Sequence, residues 1–137
     1  MGLSKRQIKE ISALQQKKFR QKTGLFVVEG EKIAAEVLSG PEFFKIVHII
    51  ALSSWIAEQP EYAQHPKLLE ASEKDLERIS GLKTANKVLL VLAQQSSPFP
   101  KKLDKKLSLV LDRIQDPGNL GTIIRICLLY TSDAADD

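Results

Sequence analysis

The sequence predicts an α/β fold: a three-layer domain over about residues 1–95, then the first strand and helix of a second α/β unit. Three observations predict it. Apolar runs of strand length alternate with stretches of helical period from Ile8 to Ala93. The last of these runs, residues 88–93, is continuously apolar, as in a strand covered on both faces. The segment after it is polar, contains Pro98 and Pro100, and leads through a lysine cluster into a new apolar run at Leu107. The domains are therefore read as 1–95, a linker at 96–106, and a second unit opening at 107.

Each element has a local reason. Ser4 with Gln7 forms a capping box, and Ile8, Ile11, Leu14 and Phe19 follow near helical spacing, predicting a helix over about 4–19 that Thr23-Gly24 stops. Residues 25–28 are a short buried strand ended by Glu29-Gly30. A helix over about 31–39 follows, closed by Gly40-Pro41. Residues 43–52 are rich in Ile, Val and Phe and read as the second strand, after which Ser54 caps a short helix containing Trp55. Phe44 and Trp55 are assigned to the core; an exposed aromatic would instead stack on an unpaired base. Residues 60–66 form a loop and 67–71 a third strand. Ser72 caps a helix through about Ile79, with Glu73 and Asp75 in its first turn, and Gly81 closes it. After the fourth strand and the linker, residues 107–114 read as a strand and Leu120 onward as a helix.

Bulk properties exclude several classes. The 137 residues suit one domain plus the start of another. No apolar run approaches the roughly 20 residues that span a bilayer. The lysine-rich beginning is not followed by a compact apolar block and cleavage site, so a secretory signal is excluded and the cytoplasm is expected. The single cysteine, Cys127, supports neither a disulfide nor a metal site, and His48 and His65 read as ordinary strand or loop residues. The formal net charge is +3, and its basic part is uneven. Lys5, Arg6, Lys9, Lys17, Lys18, Arg20 and Lys22 face only Glu10 in the first 24 residues, and Lys101, Lys102, Lys105 and Lys106 surround Asp104. Such patches attract phosphate backbones by counterion release, or else are solvated helix and linker surface.

The most specific string is LDRIQDPGNLGTIIR, from Leu111 to Arg125. Pro117-Gly118 favours a tight turn after the strand, and Asn119 reads as the helix N-cap. Open α/β folds place ligands at such strand ends. Gly121 allows close backbone approach, and Arg125 projects from the helix just under two turns after Asn119. The string lacks the glycine spacing and Gly-Lys-Ser/Thr ending of a P-loop.

Together with Lys17-Lys18-Phe19-Arg20, Gly24 to Gly30, and Ile79 to Leu89, this string resembles the SpoU/TrmH family of RNA ribose 2'-O-methyltransferases, of the SPOUT superfamily. The resemblance implies that residues 1–95 are an RNA substrate-binding domain with a fold related to kink-turn-binding ribosomal proteins. Family members usually carry a Pro-Gln-Gly type of turn where this chain has Ala85-Asn86-Lys87. Residues 107–126 resemble the start of the methyltransferase domain, whose S-adenosylmethionine site is a trefoil knot built from later motifs. The implied catalytic residues are Asn119, which orders the site, and Arg125, which supports activation of the 2'-hydroxyl, with Gly118 and Gly121 shaping the turn. An arginine is always protonated, so positioning and charge stabilisation suit Arg125 better than deprotonation. Lys17, Lys18, Arg20 and Lys22 are the expected RNA-backbone contacts. Glu29 has two readings: a cap or loop anchor, or part of the RNA surface. The implied partners are rRNA or tRNA and a second copy through the knotted domain, with no membrane. The alternative is a non-catalytic RNA-binding or ribosome-associated module.

Residues 127–137 lose the basic character of the chain, and without Asp133, Asp136 and Asp137 the net charge rises from +3 to +6. Their peptide can be written in codons that resemble a transposase-type sequencing adapter; the alternative is a genuine, divergent C-terminus. The expectation is a non-native tail that neither continues the helix nor enters a second strand. The expected fragment then binds RNA but neither binds cofactor nor turns over.

Overall fold

The computed structural model describes residues 2–40, 44–95 and 109–133, with side chains as far as Cys127. It divides into two compact units, 1–97 and 98–137.

The first unit starts with α1 (Lys5–Ala13), whose capping box of Ser4 and Gln7 is formed, and α2 (Lys17–Thr23). One helix was expected over 4–19; the structure has two. The break has a tertiary cause. Gln15 Nε2 donates to the Ile79 carbonyl at 3.0 Å, pulling the chain out of helical register, and Arg20 Nη1 donates to the carbonyls of Leu14 and Gln15 at 2.9 and 2.8 Å. Arg20 thereby satisfies acceptors that the end of α1 leaves open. Gly24, at φ 65°, then closes α2 in the left-handed conformation that glycine adopts without penalty.

β1 (Leu25–Glu29), α3 (Glu31–Ser39), β2 (Lys45–Ala51), α4 (Ser53–Glu58), β3 (Leu68–Glu70), α5 (Glu73–Ile79) and β4 (Val88–Ala93) follow, with a 3-10 turn at Pro60–Tyr62. The four strands form one sheet in the order β1-β4-β2-β3. β4 is antiparallel to both β1 and β2, and β2 is parallel to β3. One face of the sheet buries Ile11 of α1, Leu14 at its C-cap, and Leu76 and Ile79 of α5 against Ile50, Leu89 and Val91. The other buries Ala34 of α3 and Trp55 of α4 against Ile49, Val88, Leu90 and Leu92. β4 thus alternates between two cores, which is why its sequence is apolar at every position, and the expected three layers are present.

Several local expectations fail for identifiable reasons. Leu52, not Ser54, is the N-cap of α4, and no side chain bonds there. Ser80, in extended conformation, ends α5, so Gly81 is one residue beyond the cap. Ser72 caps α5 as expected, with Asp75 completing the box. Phe44 is 40% exposed rather than core, while Trp55 is buried and stacks on Tyr62 at 5.9 Å between ring centroids.

A register shift between Ile46 and His48 puts two consecutive residues of β2 on one face. Val47 packs with the α1/α5 core, and His48 pairs with Val91, which points the same way. Burial, with the charge of Lys67 second, lowers the His48 pKa from its ordinary 6.5, and Glu10 of α1 partly opposes this. The folded chain therefore resists a proton that the unfolded chain accepts, so the unfolded state binds more protons as pH falls below about 6.5. This stability term is complete above pH 6.5 and is lost below it. The thermal midpoint is expected to drop between about pH 7.5 and 5, and His48→Gln should flatten that drop. Identical pH dependence in the two proteins would remove His48 as its source.

The second unit contains α6 (Pro117–Asp133). The strand expected over 107–114 is not formed at 109–114, where Val110 is 91% exposed and Leu111 40%. A lone strand has no ladder to join, and no other strand is present among the described residues of this unit. The helix also runs on through Cys127 to Asp133, against the expectation that the tail leaves it. After Gly121 the stretch to Asp133 holds no Gly or Pro to break a helix. The linker at 96–106 with its lysine cluster, the first residue of the expected second strand at 43, Pro41 and the tail residues 134–137 lie outside the described residues.

Candidate nucleic-acid interface

Three of the four basic residues expected to contact RNA are exposed on α2: Lys17, Lys18 and Lys22. None of them forms an ion pair among the described residues, although the Lys18 ammonium lies 5.1 Å from the centroid of the Phe19 ring. These cations are available to phosphate. Arg20 differs, because its Nη1 is held by the two carbonyls at the α1–α2 turn. It acts first as the clasp that orients α2.

Glu29, at the end of β1, is the hub of a second clasp. Its Oε2 accepts from Ser80 Oγ at 2.5 Å, and its Oε1 accepts from the Gly81 N–H at 2.8 Å. Gln15 Nε2 also reaches Oε1 at 3.5 Å. Of its two sequence readings, the loop anchor is the one this geometry supports. Gly30 follows at φ 117°, a conformation that side-chain-bearing residues avoid, and it lets the chain enter α3 against the Asn86 amide. The clasp holds the loop 80–87, on which Leu82 is 54% exposed and Lys83 is also exposed. At this end of the sheet carboxylates answer the cations. Lys87 bonds Glu58 at 3.0 Å and lies 3.6 Å from Glu31; the Glu58 bond, then the charge of Glu31, raises its pKa.

In the second unit the turn residues are arranged differently from expectation. Asp116, not Asn119, caps α6: its Oδ1 accepts from the Gly118 N–H at 2.7 Å, and its carbonyl accepts from the Leu120 N–H at 3.2 Å. Pro117 takes the first helical position, where its fixed φ and missing N–H cost nothing. Asn119 is moved into the first turn and lines an open groove with Arg113, Asp116 and Thr122. Gly118 sits in the same turn, where a Cβ would lie 3.1 Å from the Asp116 carboxylate. Around Gly121 there is open space, so the close approach expected of it has no partner among the described residues. Arg125 is exposed. Six residues along a helix turn it about 240° from Asn119, so the two implied catalytic residues stand on different faces of α6.

Residues 5–90 match the family described as the MRM3-like substrate binding domain. The chain belongs to this family. Its relatives extend the similarity into the second unit. The 23S rRNA (guanosine(2553)-2'-O)-methyltransferase RlmP of Bacillus subtilis is 31% identical over 128 residues, covering 93% of this chain and 47% of that protein. The mitochondrial rRNA methyltransferase 3 of Xenopus laevis is 26% identical over 127 residues, covering 88% of this chain and 30% of that protein. Among solved structures, a putative RNA methyltransferase of the TrmH family from Porphyromonas gingivalis superposes with a TM-score of 0.68 at 29% identity, covering 91% of this chain and 48% of that one. An AdoMet-bound rRNA methyltransferase from Sinorhizobium meliloti gives a TM-score of 0.55 at 29% identity, over 72% of this chain and 37% of that one. The chain of this MRM3-like member spans about half or less of each of these proteins. No helix among its described residues is long and apolar enough to cross a membrane.

Two basic residues of the first unit were missed from sequence. Lys45 and Lys67 are both exposed, and the parallel pairing of β2 with β3 brings them together. That pairing is a long-range event with no local sequence signature.

Proposed function

We propose that this chain is the RNA-recognition domain, and the opening motif of the catalytic domain, of an S-adenosylmethionine-dependent rRNA 2'-O-methyltransferase. The observation that carries the reading is similarity through both units at once, over 93% of the chain, to a protein named for 2'-O-methylation of 23S rRNA. In that reaction the ribose 2'-oxygen gains a methyl group and loses its proton.

Gly118 and Gly121 lie inside a helix, and the groove beside Asn119 is open and contains the Asp116 carboxylate. The proposal therefore assigns cofactor binding, and pairing with a second copy, to the remainder of the whole protein. What this chain contributes is charge and placement. Lys17, Lys18 and Lys22 present a cationic helix to the RNA backbone, and Arg125 presents a permanent positive charge where the reacting ribose and its phosphate are to be held.

The α2 part of this reading has a direct test. Replacing Lys17, Lys18 and Lys22 together by glutamine removes three phosphate contacts. For single-stranded RNA the slope of log affinity against log salt should fall by roughly 2, at about 0.7 per contact. Weakening without a change in slope would mean that α2 acts through the fold instead.

A further inference from the structure

We propose that the end of the sheet where β2 begins and β4 finishes is a docking groove for single-stranded RNA. In it a base stacks on Phe44, and the flanking phosphates are held by Lys45 and Lys67. This rests on the RNA reading above and adds a site to it.

The strand register builds the groove. Lys45 pairs with Ala93, and Ala93 with Leu25, so the starts of β1 and β2 and the finish of β4 share one end of the sheet. The Gln94 N–H donates to the Gly24 carbonyl at 2.7 Å, which brings the C-terminus of α2 to the same end. A concavity of about 410 Å³ opens there between Phe44, Lys45, His65, Lys67 and Gln95. Phe44 is 40% exposed at its rim.

The side chains suit a nucleotide. The Lys67 ammonium donates to the Ile46 carbonyl, which fixes its position and leaves two of its three donors for phosphate oxygens. His65 Nδ1 accepts from the Lys67 N–H at 3.2 Å, so the proton of the neutral ring sits on Nε2, a donor. Among the described residues no carboxylate lines the groove. The opposite end of the sheet lacks this property: Lys87 is paired with Glu31 and Glu58, and the concavity beside Lys83 includes Glu73 and Glu77. An aromatic beside cations that form no ion pair among the described residues is the combination that holds unstacked bases, whereas an RNA duplex keeps its bases stacked and its reading edges recessed.

The test uses the 137-residue chain and a labelled uridine-rich RNA of about 12 nucleotides, titrated over a range of salt. Phe44→Ala should weaken binding about tenfold, and Phe44→Trp should restore it. Lys45→Gln combined with Lys67→Gln should lower the salt slope by roughly 1.4. Lys83→Gln, at the far end of the sheet, should stay within about twofold of the parent chain, since it removes no contact in the groove. With 5-iodouridine in the RNA, photocrosslinking should label the peptide containing Phe44; this readout needs no substitution, so it holds even where a variant folds poorly. Absence of binding to any RNA would overturn the RNA reading and the groove with it. RNA binding that is unchanged in the Phe44 and lysine variants, or crosslinks confined to α2, would overturn the groove alone. Equal competition by duplex RNA or by an aspartate-rich peptide would also overturn it.

Discussion

Replacing Arg125 by alanine in the whole protein is expected to lower kcat for methyl transfer about 100- to 1,000-fold, as loss of one charge-stabilising group does at other sites. The RNA dissociation constant should stay within about twofold, because the α2 lysines carry the backbone contacts. Arg125 is exposed on α6 and makes no ion pair among the described residues, so its removal costs the fold little. Arg125→Lys should recover only part of the loss, since an ammonium keeps the charge without the planar fork. Single-turnover rates and RNA titrations separate the two effects. A variant with raised KM and unchanged kcat would make Arg125 a substrate-binding residue only.

Glu29→Ala is expected to destabilise the first unit by about 2–3 kcal/mol, the range for losing hydrogen bonds to a charged acceptor and leaving their donors unmet. Three donors lose their partner: Ser80 Oγ, the Gly81 N–H and Gln15 Nε2. The shift should appear as a lower urea midpoint with an unchanged m-value. Because Gln15 also links α1 to Ile79, the loop 80–87 should lose hydrogen-exchange protection along with the α1–α2 turn. Unchanged stability with altered RNA affinity would return Glu29 to the RNA surface.

The elements best read from sequence were those set by burial or by a local cap. β4 is apolar at six consecutive positions because both of its faces are covered, and Ser72 with Asp75 forms a self-contained box. Where distant residues decide, the pattern misled. The apolar stripe from Ile8 to Phe19 looks like one helix, yet Gln15 is drawn to Ile79, 64 residues away, and the stripe breaks there. Phe44 looks like core because it opens an apolar run, but it stands at the rim of the sheet. In the Asp-Pro-Gly-Asn turn two good caps compete. Proline at the first helical position decides for Asp116 and displaces Asn119 by three residues. The family was readable in the strings themselves, and the match over residues 5–90 agrees with it. The surface proposed to face RNA was readable only where its charges are close in sequence, as on α2. That Lys45 and Lys67 line one concavity depends on how β3 is laid beside β2, which no local pattern encodes.

The central claim is that these residues serve ribose methylation of RNA. The most direct measurement supplies the whole protein with methyl-labelled S-adenosylmethionine and unmodified rRNA. The labelled nucleotide is then located and its position of attachment determined. The account predicts label on a ribose 2'-oxygen, leaving an alkali-resistant linkage in the RNA. Label on a base, or RNA binding by the complete protein with no transfer, would contradict it.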